Sequence, residues 1–97
     1  MSAINILRDE YPGDDAWQKF VAVFRPAWDS LQDKDSYRSS LNDEEIAIVL
    51  AASMGEHAPH WFNKPCGALN KRAPIDVLKN EPAGINVIRT LLMRMPR

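Results

Sequence analysis

Large apolar side chains recur at steps of three and four residues through the segment from 17 to 31. They are Trp17, Phe20, Val21, Phe24, Trp28 and Leu31. This spacing places them on one face of a helix, whereas a half-buried strand would alternate at every second residue. The segment is therefore predicted to be an amphipathic helix. Pro26 removes one backbone hydrogen bond and clashes with the preceding turn, so we expect a kink near Phe24 or two shorter helices.

Acidic residues open a second predicted helix. Asn42 can cap its first turn, and Asp43–Glu45 complement the positive end of the helix dipole. The stretch from Ile46 to Met54 continues the helix, and Gly55 can close it in a left-handed conformation. This longest uncharged apolar stretch is about half of the roughly 20 residues that a membrane span needs. The sequence therefore predicts a helix here and no membrane-spanning segment.

Two prolines mark the helices predicted towards the end of the chain. Pro74 suits the first turn of a short helix over 74–79, and Pro82 suits the first turn of the last helix. The last helix carries six apolar side chains: Ile85, Val87, Ile88, Leu91, Leu92 and Met95. Because they surround much of its circumference, we expect this helix to be buried between other helices or against a second chain.

The length of 97 residues predicts a single domain. We divide it into an N-terminal arm at 1–13, a helical half at 14–54 and a second half at 55–97. Residues 32–40 are polar and are predicted to form a loop, and no segment alternates convincingly as a strand. The predicted fold class is all-α, a compact bundle of about four to five short helices.

The net charge of −1 conceals an asymmetry between the two halves of the chain. Residues 1–54 carry 5 basic and 10 acidic side chains, whereas residues 55–97 carry 7 basic and 3 acidic ones. The second half should therefore attract an acidic surface, and the first should repel nucleic acid. A helix-turn-helix at 42–62 would contain no Lys or Arg, which argues against DNA binding by this chain alone.

His57, His60 and Cys66 are the residues that could suggest a metal or a nucleophilic site. A structural zinc site needs four ligands in tighter pairs, and no second cysteine exists here. A Cys66 nucleophile with His60 as base would lack a third, orienting residue. We therefore predict no metal, no cofactor and no enzymatic activity. The single cysteine and the absence of a visible secretion signal predict a cytoplasmic protein.

A pattern of apolar residues, prolines and a glycine runs through residues 56–95. Its members are Trp61-Phe62, Pro65, Leu69, Pro74, Ile75, Val77-Leu78, Gly84, Val87 and Leu91. In order and spacing this resembles the toxin-binding domain of the Xre/MbcA/ParS antitoxin family. Ala73 stands where that family usually has Thr, and we find no N-terminal helix-turn-helix of the Xre type.

The resemblance implies an all-helical, cytoplasmic, bacterial protein that neutralises a partner toxin. Members of the family commonly cover the active site of an NAD-consuming toxin of the RES type with their C-terminal region. An alternative is a bacterial regulatory or self-associating protein without a toxin, because the apolar last helix could form a homodimer.

Five cationic residues of the second half are the predicted partner-binding residues: Lys71, Arg72, Arg89, Arg94 and Arg97. Arginine suits bidentate pairing with carboxylate or phosphate, so these side chains could meet an acidic protein surface. The simpler interpretation is that they form a solvated face, and for Lys71 and Arg72 both interpretations stay open.

Overall fold

The computed structural model describes residues 3–41 and 43–94, with residues 40 and 41 described by their backbone alone. Within these ranges the chain forms seven α-helices: α1 Ala3–Asp9, α2 Asp14–Asp29, α3 Lys34–Leu41, α4 Glu44–Met54, α5 Ala58–Asn63, α6 Pro74–Asn80 and α7 Gly84–Arg94. Short 3-10 turns lie at Gly55–His57 and Gly67–Leu69.

Helix α4 forms the centre of the bundle. Its residues from Ile46 to Ala51 are all buried, because α2, α3 and α5 pack around it. Asp43 caps the helix, its carboxylate accepting a hydrogen bond from the Ile46 amide at 3.0 Å. The cap is therefore Asp43, one residue later than predicted, and Asn42 lies outside the described residues. Gly55 ends the helix with a φ of 56°, the positive value expected of it.

Helix α2 runs without a break through Pro26. The two shorter helices considered from the sequence are wrong, since one helix spans the whole segment. Trp17 and Val21 before the proline and Trp28 after it are all buried. Burial of the same face on both sides of Pro26 favours a continuous helix although proline cannot donate its hydrogen bond.

The loop predicted at residues 32–40 is wrong, because most of this segment belongs to α3. Its helical propensity is low, and its contacts with neighbouring helices explain why it forms. The Tyr37 ring meets Trp28 edge-on at 6.4 Å between centroids, and the Arg38 guanidinium lies 5.5 Å from the Trp28 ring centroid. Arg38 also donates to Glu44 at 2.5 Å, which ties α3 to the start of α4.

The N-terminal arm contains helix α1, which packs against α7. Ile4 and Leu7 are buried, whereas Ile6 is 39% exposed because it lies on the other side of the helix.

The end of the chain follows the predicted pattern of helices closely. Helix α6 begins at Pro74, as expected of a proline in a first turn. Helix α7 begins at Gly84 rather than near Pro82, because the chain turns at Ala83 with a φ of 52°. Val87, Ile88, Leu91 and Leu92 are buried within this one chain, so these residues need no second chain to cover them. Met95 lies outside the described residues.

The predicted all-α bundle is confirmed. The helices outnumber the four or five expected, because the arm and the polar segment before α4 are helical too. In the described residues the only extended pairing is an isolated antiparallel bridge between Cys66 and Arg72.

The crossing of α6 and α7 depends on the absence of a side chain at Gly84. A Cβ built on this glycine would overlap the carbonyl oxygen of Val77 and lie 3.2 Å from the Leu78 Cα. Both are backbone atoms of α6, which cannot move aside as the end of a flexible side chain could. Gly84 therefore allows the backbones of the two helices to approach closely.

Replacing Gly84 by alanine is expected to lower the free energy of unfolding by about 1–3 kcal/mol, because the added methyl group forces the two helices apart. Denaturant unfolding followed by circular dichroism measures the change. Gly67→Ala is the matched control, since a Cβ there meets nothing within 4 Å and the residue has no positive φ. Equal effects of the two substitutions would contradict this account of the helix crossing.

Candidate protein-binding surface

Arg89, one of the predicted partner-binding residues, lies between helices rather than on a free face. Its side chain is 16% exposed. The guanidinium donates to Glu45 Oε1 at 3.1 Å and to the Tyr11 hydroxyl at 3.2 Å, and it lies 5.1 Å from the Trp17 ring centroid. A carboxylate oxygen of Asp14 lies 3.5 Å from the Arg89 guanidinium. Arg89 thus joins α7 to α4, to α2 and to the turn before α2.

The Glu45 carboxylate is the common acceptor in this cluster. Its Oε1 accepts from Trp17 Nε1 at 3.0 Å, and its Oε2 accepts from Gln18 Nε2 at 2.5 Å. Arg25 approaches the same oxygen at 3.9 Å. We call Glu45, Trp17, Gln18 and Arg89 the central polar cluster. Because the Glu45 acceptor is charged, each of these hydrogen bonds is stronger than one between two neutral groups.

Arg72 belongs to a second group of charges, around Glu81. It donates to Asp76 at 2.6 Å and to Glu81 at 2.5 Å, and Arg8 of α1 donates to the other oxygen of Glu81 at 2.7 Å. Arg72 holds the pKa of Asp76 below its ordinary value, helped by a hydrogen bond from Asn80. The Arg72 hydrogen bond also lowers the pKa of Glu81, with a smaller contribution from Arg8.

Arg94 pairs with Glu10, which follows α1, at 2.6 Å. This hydrogen bond lowers the pKa of Glu10 and raises that of Arg94. Arg89 and Arg94 therefore pair with acids of the other half of the chain, while Arg72 pairs within its own half. An incoming carboxylate would have to compete with these internal partners for each of the three arginines.

Lys71 is the predicted residue whose side chain is exposed and carries no recorded ion pair within the described ranges. Its backbone has a φ of 65° and follows Asn70 at 56°, so both residues lie in the left-handed region. Backbone hydrogen bonds close the loop that contains them, because the amides of Leu69 and Lys71 both donate to the Cys66 carbonyl oxygen, at 3.0 and 2.9 Å. Arg97, the fifth predicted residue, lies outside the described residues.

A second exposed lysine that the sequence prediction missed lies just before the loop between the bridged residues Cys66 and Arg72. Lys64 is exposed two residues before the bridge, and Lys71 is exposed at its other end. Lys64 therefore precedes the loop that the bridge closes, and Lys71 is the last residue within it. We call residues 64–71 the basic loop. A charge count finds Lys64, but only the structure shows that its side chain is exposed.

The family-like pattern of the second half falls mainly on buried positions. Phe62, Leu69, Pro74, Val77, Gly84, Val87 and Leu91 are buried, and Trp61, Ile75 and Leu78 are partly buried. Pro65 is exposed before the bridge. Most of this pattern therefore specifies how α5, α6 and α7 pack, which leaves other side chains as candidates for a binding surface.

No group of three or more His, Cys, Asp or Glu side chains in the described ranges could hold a metal ion. His57 and His60 are exposed, and Cys66 is a partly buried free thiol. A small open pocket of about 230 Å³ lies elsewhere, lined by Asp33, Ser36, Tyr37, Glu56 and Pro59. Its two carboxylates suit a cationic group rather than an anion.

Comparisons of the chain with protein-family models, with curated proteins and with solved structures gave no match. Among the described helices, none is both long and apolar enough to cross a membrane.

A double-mutant cycle on Glu45 and Arg89 measures the central polar cluster. We expect Glu45→Ala and Arg89→Ala each to destabilise the fold, and a coupling of about 0.5–3 kcal/mol between them, because each removal leaves the other charge with fewer partners. The control cycle uses Asp35 and Arg38, whose side chains are 98% and 44% exposed. There the coupling should stay near 0.2–0.5 kcal/mol, roughly that of an exposed helix pair. Equal coupling energies in the two cycles would contradict a stabilising role for the central polar cluster.

The lowered pKa values of Glu81 and Glu10 predict how the stability depends on pH. Each carboxylate binds its proton less readily in the folded than in the unfolded chain, so each stabilises the fold above its ordinary value of 4.5. This stabilisation is lost as the pH falls through the lower folded values. Glu81→Gln should therefore flatten the acid limb of a plot of unfolding free energy against pH. Parallel acid limbs for the variant and the wild type would show that the arginines do not hold this carboxylate.

Proposed function

We propose that this chain is a non-catalytic protein-binding module of the antitoxin kind, which acts in the bacterial cytoplasm by covering the active site of a partner toxin. The basic loop is the observation that carries the proposal. It projects two exposed lysines from the half of the chain that resembles a toxin-binding domain. The partner surface would be acidic, and a toxin of the RES type would fit the resemblance.

The packing of α5, α6 and α7 supports this function in a second way. The pattern shared with the family occupies the core of these helices, so its residues have a physical role in building a domain of that kind. Gly84 illustrates this, because the glycine at the start of the last helix is where α7 approaches the backbone of α6. A rigid support under the basic loop lets its lysines meet a partner without ordering a flexible segment first.

The internal pairing of the arginines changes which side chains the proposal relies on. Arg72, Arg89 and Arg94 already bind carboxylates of their own chain, so exchange for a partner carboxylate gains less than a new contact. Lys71 and Lys64 lose no recorded internal partner when they bind. The two lysines are therefore the primary contacts in this proposal, and the three arginines contribute less.

Co-expression with the product of a neighbouring gene tests the proposal, with growth rescue and co-purification as readouts. We expect the chain to restore growth when that product is toxic. Lys64→Glu with Lys71→Glu should weaken the complex by at least about tenfold, because two attractive contacts become repulsive. Lys19→Glu with Lys79→Glu is the matched control, because both lysines are exposed and the same charge change falls on α2 and α6.

Thermal unfolding of both double variants shows whether each keeps its fold. Two folded variants that bind the partner equally well would remove the basic loop from the interface. Failure of the wild-type chain to bind or to suppress any product encoded beside it would count against the antitoxin role itself.

A further inference from the structure

The pocket of about 230 Å³ lies between the start of helix α3 and the segment that leads into α5. Its lining residues are Asp33 before α3, Ser36 and Tyr37 of α3, Glu56 of the 3-10 turn and Pro59 of α5. Pockets for drug-sized ligands measure roughly 300–1,000 Å³, so this one suits a single side chain or a molecule of that size. Its lining combines two carboxylates with two hydroxyl groups, an aromatic ring and a proline ring, and it includes no cation.

The Asp33 carboxylate is not used by the helix that it precedes. Asp33 stands directly before α3, the position from which an aspartate side chain commonly accepts a hydrogen bond from an amide of the first turn. At the start of α4, the Asp43 carboxylate makes such a bond to the Ile46 amide. At α3 the corresponding amide, that of Ser36, donates to the Asp33 carbonyl oxygen instead, at 3.1 Å. Within the described residues the Asp33 carboxylate has no recorded hydrogen bond or ion pair, so it is available to a ligand in the pocket.

The second carboxylate of the pocket, that of Glu56, comes from a different element of the fold. It is exposed, and in the part of the chain that the structure describes it has no recorded partner. The two cations of α3 have partners elsewhere, since Lys34 Nζ donates to the Asp29 carbonyl oxygen at 3.2 Å and Arg38 pairs with Glu44. No recorded cation of the described chain therefore neutralises the two carboxylates, and their combined field favours a positively charged ligand.

The Tyr37 ring gives the pocket an aromatic wall that is held in place. It meets the buried Trp28 ring edge-on, with 6.4 Å between the centroids. Aromatic rings attract cations to their faces, and the planar guanidinium of arginine stacks on them particularly well. A guanidinium also has five N–H donors along its edge, which lets it bind carboxylates while its plane contacts a ring. An ammonium group is a compact point charge without such a plane, so the lining favours arginine over lysine.

We propose that this pocket binds the guanidinium group of an arginine side chain that a partner protein presents. Asp33 and Glu56 accept hydrogen bonds from the guanidinium edge, Tyr37 contacts its plane, and Pro59 contacts the apolar stem of the arginine. The pocket contains no residue of the basic loop, so the two surfaces attract opposite charges. This inference does not rest on the proposed antitoxin role.

Titration with N-acetyl-argininamide at low salt, followed by the amide NMR spectrum of the full chain, tests the site. We expect the shifted signals to belong to the residues that line the pocket. N-acetyl-citrullinamide has nearly the same shape without the charge, and it should bind at least about tenfold more weakly. Equal binding of the two probes would overturn the proposal. Free arginine should bind no more tightly than its amide, and clearly tighter binding would make the free amino acid the ligand and overturn the assignment to a partner protein.

A pair of double variants separates the two pocket carboxylates from the overall charge. Asp33→Asn with Glu56→Gln should weaken the binding of N-acetyl-argininamide by at least about tenfold. Asp9→Asn with Asp15→Asn is the matched control, because it removes the same charge from exposed positions on α1 and α2 and should change the binding by less than about twofold. Thermal unfolding verifies that both double variants keep their fold. Equal weakening by the two would assign the effect to overall charge and overturn the proposal.

Discussion

The Glu45 carboxylate is the point at which three helices of the bundle are tied together. It lies in the first turn of the buried helix α4, and it accepts hydrogen bonds from Trp17 of α2 and Arg89 of α7. Apolar packing alone would allow these helices to slide, since hydrophobic attraction has no direction. Hydrogen bonds to a partly buried carboxylate have a preferred geometry, and a misplaced helix would leave the charge with fewer partners. The cluster therefore sets how the apolar faces meet.

The fold uses the charge asymmetry of the sequence for its own cohesion. Glu10 and Glu45 come from the acidic half and meet Arg94 and Arg89 of the basic half. The sequence alone led us to assign such arginines to an external partner, because opposite charges in the same chain are indistinguishable from a partner's charges until the fold is known. Among the described residues of the basic half, the lysines that the fold leaves exposed are Lys64 and Lys71 of the basic loop and Lys79 of α6. A partner would therefore meet a smaller positive surface than the charge count suggests.

Local patterns in the sequence predict the helices whose formation depends on their own residues. Three such patterns involve only neighbouring residues. They are the apolar period of α2, the proline that begins α6 and the glycine, Gly55, that ends α4. Helix α3 could not be predicted in this way, because its stability comes from Trp28, a residue of another helix. The same holds for the candidate site. Arg72 and Asp76 are one helical turn apart and could be paired from the sequence, whereas Arg89 and Glu45 are 44 residues apart.

The position of α1 connects the arm to the surface proposed for binding. Besides α7, this helix contacts the turn at Gly67–Leu69, which lies within the basic loop. An arm that docks in place supports that turn, and so do the backbone bonds from Leu69 and Lys71 to the Cys66 carbonyl. The contacts of α1 therefore join the start of the chain to the loop that carries Lys71.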